Sequence, residues 1–128
     1  MKTLTAELEA RLLTERNIWL ATVRPSGKPH LIPIWFIWRN GRFYCGLQSK
    51  SVKAHNLRQN PRVSLSLENG SDVLICEGVA QLLPTPWPAS LLGSFQEKYA
   101  WDILNSTTGY DTIIAIQPNK WLLWGEGE

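Results

Sequence analysis

What the sequence has little of excludes more than what it has in plenty. Two cysteines, two histidines and one methionine are all that 128 residues offer to a soft metal or a redox thiol. Cys45 and Cys76 both lie in apolar, strand-like stretches, with no CxxC and no histidine at ligand spacing. That pattern reads as two reduced, buried thiols rather than a disulfide framework or a zinc site. His30 and His55 each stand alone, and neither has a second histidine at metal spacing, so a structural or surface role is expected of both. Asp72 and Glu77 flank one apparent strand five residues apart, which puts them on opposite faces and leaves no carboxylate pair for general acid–base work. No nucleophile with a paired base is visible, and no metal or catalytic side chain is assigned.

Long hydrophobic runs are missing as well. The longest, "LIPIWFIW" at 31–38, is too short to cross a bilayer and contains Pro33. The N-terminal "MKTLTAELEARLL" carries Glu7 and Glu9 and has no uninterrupted apolar core, which is unlike a signal peptide. A soluble, cytoplasmic protein without a membrane partner is expected. The most informative absence is one of sign: from Arg16 to Leu67 there is no Asp or Glu, while nine of the thirteen basic residues fall in that stretch. A positive field on one part of the molecule favours an anionic ligand. The basic residues do not form one helix face interleaved with aromatics, so nucleic acid is not the expected partner.

What is present is a folded composition, 44% hydrophobic with seven tryptophans, in a chain of single-domain length, 1–128. Seven tryptophans exceed what a small core needs, so some are expected at a pocket or a subunit interface. Leu4, Leu8 and Leu12 recur at four-residue spacing and predict a helix over 4–16, with Thr3 or Thr5 as its cap. The period then changes. Short strands are predicted over 17–24, 29–38 and 43–47, the last two joined by Asn40-Gly41, the strongest short hairpin signal. The stretch 29–38 is apolar on both alternating faces, as for a strand covered on both sides, and Pro33 places it at an edge, bulge or bend. A short helix over 51–60 follows, then strands over 62–68 and 73–83, with Gly78 marking a bulge. A second long helix is read over 84–104, with Pro88 in its first turn and Leu91, Leu92, Phe95, Tyr99 and Ile103 as its buried stripe. Two last strands, 112–117 and 121–125, are joined by a tight turn at Pro118-Asn119. Six or seven short antiparallel strands with few helices make the fold mainly β, a barrel with flanking helices.

The best candidate site is "QSKSVKAHN", residues 48–56, where a strand hands over to a helix. Free N–H groups and the helix dipole make such a start attractive to an anion. Ser49 or Ser51 can cap it, and Lys50 and Lys53, three apart, would lie side by side on a helix and close on a phosphate. A solvated helix with ordinary capping explains the same residues without a ligand.

The order "GKPHLIPIWFIW", "RNGRFYCG", then "SVKAHNLRQNPRVSLSL" resembles the pyridoxamine 5'-phosphate oxidase-like family of FMN-binding split β-barrels, most clearly over 17–83. The resemblance implies that Ser51 and Lys53 bind the FMN phosphate, with Leu47, Gln48 and Lys50 beside them. It implies that Ile32, Pro33, Ile34 and Trp35 run along the flavin ring, and that two such sites form at a homodimer interface. By analogy with short members of the family, Trp121 or Trp124 would cover the ring of the other subunit. Three features depart from the pattern: Val52 replaces an arginine, Leu47 replaces a small polar residue, and the arginine-rich C-terminal substrate motif is absent. These argue against pyridoxamine phosphate as substrate. The implied function is an oxidoreductase using FMN, or a deazaflavin, on a small molecule. The alternative is a non-enzymatic flavin or haem sensor or carrier on the same barrel.

Overall fold

The computed structural model describes residues 4–125. Helix α1 (Ala6–Thr14) is capped by Thr5, whose hydroxyl accepts from the Leu8 N–H at 3.2 Å. Thr3, the other candidate cap, lies outside the described residues. Glu7 and Glu9 occupy the first turn, where the dipole favours them, and Leu12 is fully buried.

Seven strands follow: β1 (Asn17–Val23), β2 (Pro29–Trp35), β3 (Ile37–Arg39), β4 (Arg42–Leu47), β5 (Arg62–Ser66), β6 (Val73–Leu82) and β7 (Thr112–Trp124). They form one antiparallel sheet in the order β2-β1-β5-β6-β7-β4-β3. The sheet curls into a split half-barrel, bringing β2 near one end back into contact with β4 near the other. Inward-facing Ile18, Leu20, Phe43, Cys45, Leu65, Leu74, Ile114, Ile116 and Trp121 fill it, with Leu12 of α1 closing the core. Helix α2 (Val52–Gln59) crosses between β4 and β5, and helix α3 (Ala89–Tyr99) packs Leu91, Phe95 and Tyr99 against Ile37 and Ile113 in a second apolar cluster.

Several expectations hold. Asn40 and Gly41 both take positive φ, 52° and 72°, the backbone a two-residue hairpin between β3 and β4 requires. Pro33 does lie on an edge strand, β2. The Gly78 bulge is there too: Glu77 pairs with Lys120 and Gly78 with Pro118, so Asn119 has no partner. A Cβ on Gly78 would sit 2.5 Å from the Gln117 carbonyl oxygen, an approach only glycine permits.

Four expectations are corrected. Residues 29–38 are not one strand, because Phe36 turns fully inward and exchanges its backbone bonds with the Tyr99 hydroxyl instead of a neighbouring strand. That stretch is not covered on both faces either, since Leu31 and Trp35 are exposed in the single chain. The last two strands are one continuous β7, and Pro118-Asn119 forms the bulge opposite Gly78 rather than a turn. The helix read over 84–104 spans only Ala89–Tyr99, with Pro88 as its N-cap; Ala100, at φ 51°, ends it in the left-handed region. Ile103 is buried but lies beyond the helix. The two other helices are each slightly shorter than expected, Ala6–Thr14 and Val52–Gln59.

No helix among the described residues is long and apolar enough to cross a membrane.

Candidate functional site

Where β2 and β4 face each other across the split, a cleft of about 480 Å³ opens. That size suits a small-molecule ligand. Pro33, Ile34 and Trp35 at the end of β2 form one wall, with Asn17 beside them on the paired strand. Gly46 of β4, Lys53 of α2, and Trp101 and Tyr110 from the segment after α3 complete the lining.

Aromatic rings hold this lining in shape. Trp35 stacks on Tyr99 at 4.5 Å between centroids with 7° between planes, and meets Trp101 edge-on at 5.7 Å. Trp101 in turn meets Tyr110 edge-on at 4.8 Å and Phe95 at 5.4 Å. The Arg16 guanidinium lies 4.8 Å from the Tyr99 ring and 5.6 Å from that of Trp35, backing the stack with a cation. Gly46 is what lets Trp101 in: a Cβ there would stand 2.8 Å from Trp101 Cη2 and 2.6 Å from Ile103 Cδ1. Burial pushes the Tyr99 hydroxyl up to about 12, against the pull of its Phe36 backbone bond, so Tyr99 stays protonated as a structural tie.

At the other side of the cleft stands the start of α2. Ser51 is its N-cap, accepting from the Ala54 N–H at 3.2 Å, which agrees with the sequence reading. Ser49 has a different task. Its N–H and hydroxyl donate to the two oxygens of Asp111 at 2.8 and 2.6 Å, and its carbonyl accepts from Arg58 at 2.5 Å. Those two bonds hold the Asp111 carboxyl below the usual range. The stretch that is acid-free in sequence thus receives one carboxylate in space, from 62 residues away.

Lys53 lines the cleft. Burial holds its ammonium below the usual lysine range, with the Cys45 thiol pulling the other way. Lys50 does not lie beside it on a helix face, because α2 begins at Val52, after the cap, and leaves Lys50 exposed in the preceding turn. Behind Lys53, Asn56 donates to the buried Thr22 hydroxyl at 3.0 Å and pins α2 to β1.

The remaining predicted residues fall elsewhere. Leu47 is fully buried in the core, so its side chain is withdrawn from the cleft, although its carbonyl accepts from the Asp111 N–H. Gln48 is exposed and donates to the Thr108 carbonyl at 2.9 Å. Ile32 packs against the core from β2. Trp121 is in the core against Trp38 and Phe43 and does not reach a ligand site in its own chain. Trp124 lies in a separate groove with Leu8, Arg11 and Asp72. Pro33, Ile34, Trp35 and Lys53 are therefore the predicted residues that the fold brings together. Asn17, Gly46, Trp101 and Tyr110 were not anticipated; the surplus of tryptophan was their only signal.

The sequence matches the profile of the pyridoxamine 5'-phosphate oxidase family over residues 4–125. The chain belongs to that family. No curated protein matches it. Among solved structures it is similar to an F420 reductase, with 26% identity and a TM-score of 0.72 over 89% of this chain and 94% of that one. It is also similar to the conserved hypothetical protein Rv2991 of Mycobacterium tuberculosis, at 26% identity and a TM-score of 0.75 over 98% and 86% of the two chains. The haem storage protein HutZ of Vibrio cholerae shares the fold at 17% identity and a TM-score of 0.80, over 99% and 100%.

Does this member's cleft fit a flavin mononucleotide? It offers an aromatic slot at the β2 edge and, at a helix start, a lysine whose ammonium burial holds below its ordinary range, groups that suit a flat ring and an anionic tail.

Proposed function

We propose that this protein binds FMN in the split between β2 and β4 and acts as a flavin-dependent oxidoreductase on a small molecule. The observation that carries the reading is the union, in one cleft, of an aromatic slot (Trp35, Trp101, Tyr110) with a half-buried cation at a helix start (Lys53, behind the Ser51 cap). Slot and cation suit opposite ends of one ligand.

When bound, the flavin supplies the hydride or electron transfer. The chain's own work is to bind and orient. Pro33, Ile34 and Trp35 give the ring an apolar edge, while Trp101 and Tyr110 exclude water from it. Lys53 and the first N–H groups of α2 supply positive charge for the phosphate. Cys45 takes no part as a thiolate, because burial pushes its thiol up to about 12. A deazaflavin is the second reading, favoured by the likeness to an F420 reductase at 26% identity.

We also assign the working form to a homodimer, supported by the apolar exposure of Leu31, Trp35 and Val52 around the cleft in the single chain. Light scattering should return twice the chain mass. A visible spectrum of the protein as purified, followed by titration with FMN and with a deazaflavin, tests the function. Absence of flavin absorbance together with no binding of either would refute it.

A further inference from the structure

In this chain Val52 stands, exposed, between Ser51 and Lys53 where the family resemblance implies a second phosphate-binding cation. The fold places His30 within the field of two cations, Arg24 on one side and Lys53 on the other. His30 pairs across the β1–β2 ladder with Thr22, the residue that Asn56 of α2 grips, and Asn56 lies one turn after Lys53. Arg24 follows the end of β1 and donates to the Pro29 carbonyl at 2.8 Å, next to His30. Among the described residues the charges acting on the His30 imidazole are Arg24 and Lys53, both positive. The His30 ring is half-buried, and its Nδ1, shielded from solvent, has no hydrogen-bond partner among the described residues.

We propose that Arg24 and His30 complete the anion site at Lys53, so that three basic side chains from three elements hold the ligand's terminal phosphate in place of the arginine lost at position 52. The proposal rests on the flavin reading above. Its geometry is consistent with that reading: His30 and Ile34 are four residues apart on β2, about 13 Å of strand. That span leaves room for a polyol linker between a ring at Pro33–Trp35 and a phosphate at His30. Burial first, then Arg24 and Lys53, hold His30 below its ordinary value, so it is neutral in the free protein at neutral pH. A phosphate dianion reverses the sign of that field. His30 then takes up a proton on binding, and affinity rises as pH falls.

Isothermal titration with FMN and with riboflavin, which lacks the phosphate, tests this on the full chain. Arg24→Gln and His30→Asn should each weaken FMN binding about tenfold or more and leave riboflavin within about twofold. Wild type should bind FMN with proton uptake, measured in two buffers of different ionisation enthalpy, and His30→Asn should not. Equal FMN affinity in wild type and variants overturns the proposal while the flavin reading stands; equal affinity of wild type for FMN and riboflavin overturns it and also removes the phosphate from Lys53, leaving only the ring in the cleft. Failure of wild type to bind either compound removes the flavin reading itself. Should His30→Asn not fold, Arg24→Gln, at the turn, decides alone.

Discussion

Replacing Tyr99 by Phe probes how the cleft wall is fastened, because it removes one atom and keeps the ring. The Tyr99 hydroxyl accepts from the Phe36 N–H at 2.9 Å and faces the carbonyls of Arg16 at 2.7 Å and Phe36 at 2.9 Å. Phe36 is fully buried, so without that oxygen its N–H has no acceptor. The Phe36 carbonyl still has Lys98 at 3.0 Å, and the stack on Trp35 persists. The loss is therefore one ordinary hydrogen bond plus one orphaned buried donor, together about 2–3 kcal/mol. For 128 residues that corresponds to a fall in Tm of roughly 6–12 °C. Calorimetry or a thermal melt by circular dichroism reads it. Tyr99→Leu, which also removes the ring that supports Trp35, should fall further and weaken flavin binding as well. A Tyr99→Phe melt unchanged within error would refute the claim that this hydroxyl fastens the β2–β3 break to α3.

Gly46→Ala should force Trp101 and Ile103 aside, since the new Cβ would meet them at 2.8 and 2.6 Å; a cost of about 1–3 kcal/mol in urea melts and a weaker flavin affinity are expected. Gly78→Ala meets backbone instead, the Gln117 carbonyl at 2.5 Å, and should destabilise more than Gly46→Ala in the same melts. Stability should also vary with pH in a defined sense. Burial lowers Lys98 to about 8 from 10.5, so between about pH 8 and 9 the unfolded chain binds more protons and stability rises with pH. Burial raises the thiols of Cys45 and Cys76 to about 12 from 9.0 and the Tyr99 hydroxyl to about 12 from 10.0, so above about pH 9 these groups, which keep protons in the folded state, outweigh Lys98 and Lys53, which act the other way. Urea midpoints at about pH 7.5, 9 and 10.5 should therefore peak near 9, and a midpoint still climbing at 10.5 would contradict this balance.

Local chemistry was legible in the sequence wherever one or two residues decide the backbone. Asn40-Gly41 specifies its hairpin, Thr5 and Ser51 cap their helices, Pro33 marks an edge, and Gly78 marks a bulge, all as read. Reading failed where a tertiary partner overrides local signal. Phe36 breaks an apparently continuous strand because Tyr99, 63 residues on, takes its backbone bonds. Pro118 has the look of a turn, yet it stays in β7 paired with Gly78 of the neighbouring strand, and the bulge leaves Asn119 as the unpaired residue. The site was legible by halves. Lys53 and the β2 edge carry a local pattern, whereas Trp101 and Tyr110 reach the cleft only through the way the segment after α3 folds back over Gly46. Asp111 likewise joins the helix start across a separation no periodicity reveals.

The central claim is that the split between β2 and β4 holds a flavin with its phosphate at Lys53. Titrating FMN into purified wild type and Lys53→Ala, followed by quenching of flavin fluorescence, tests it most directly. The account predicts saturable binding by wild type and a loss of about tenfold or more in the variant. No binding to wild type, or unchanged affinity in Lys53→Ala, would contradict it.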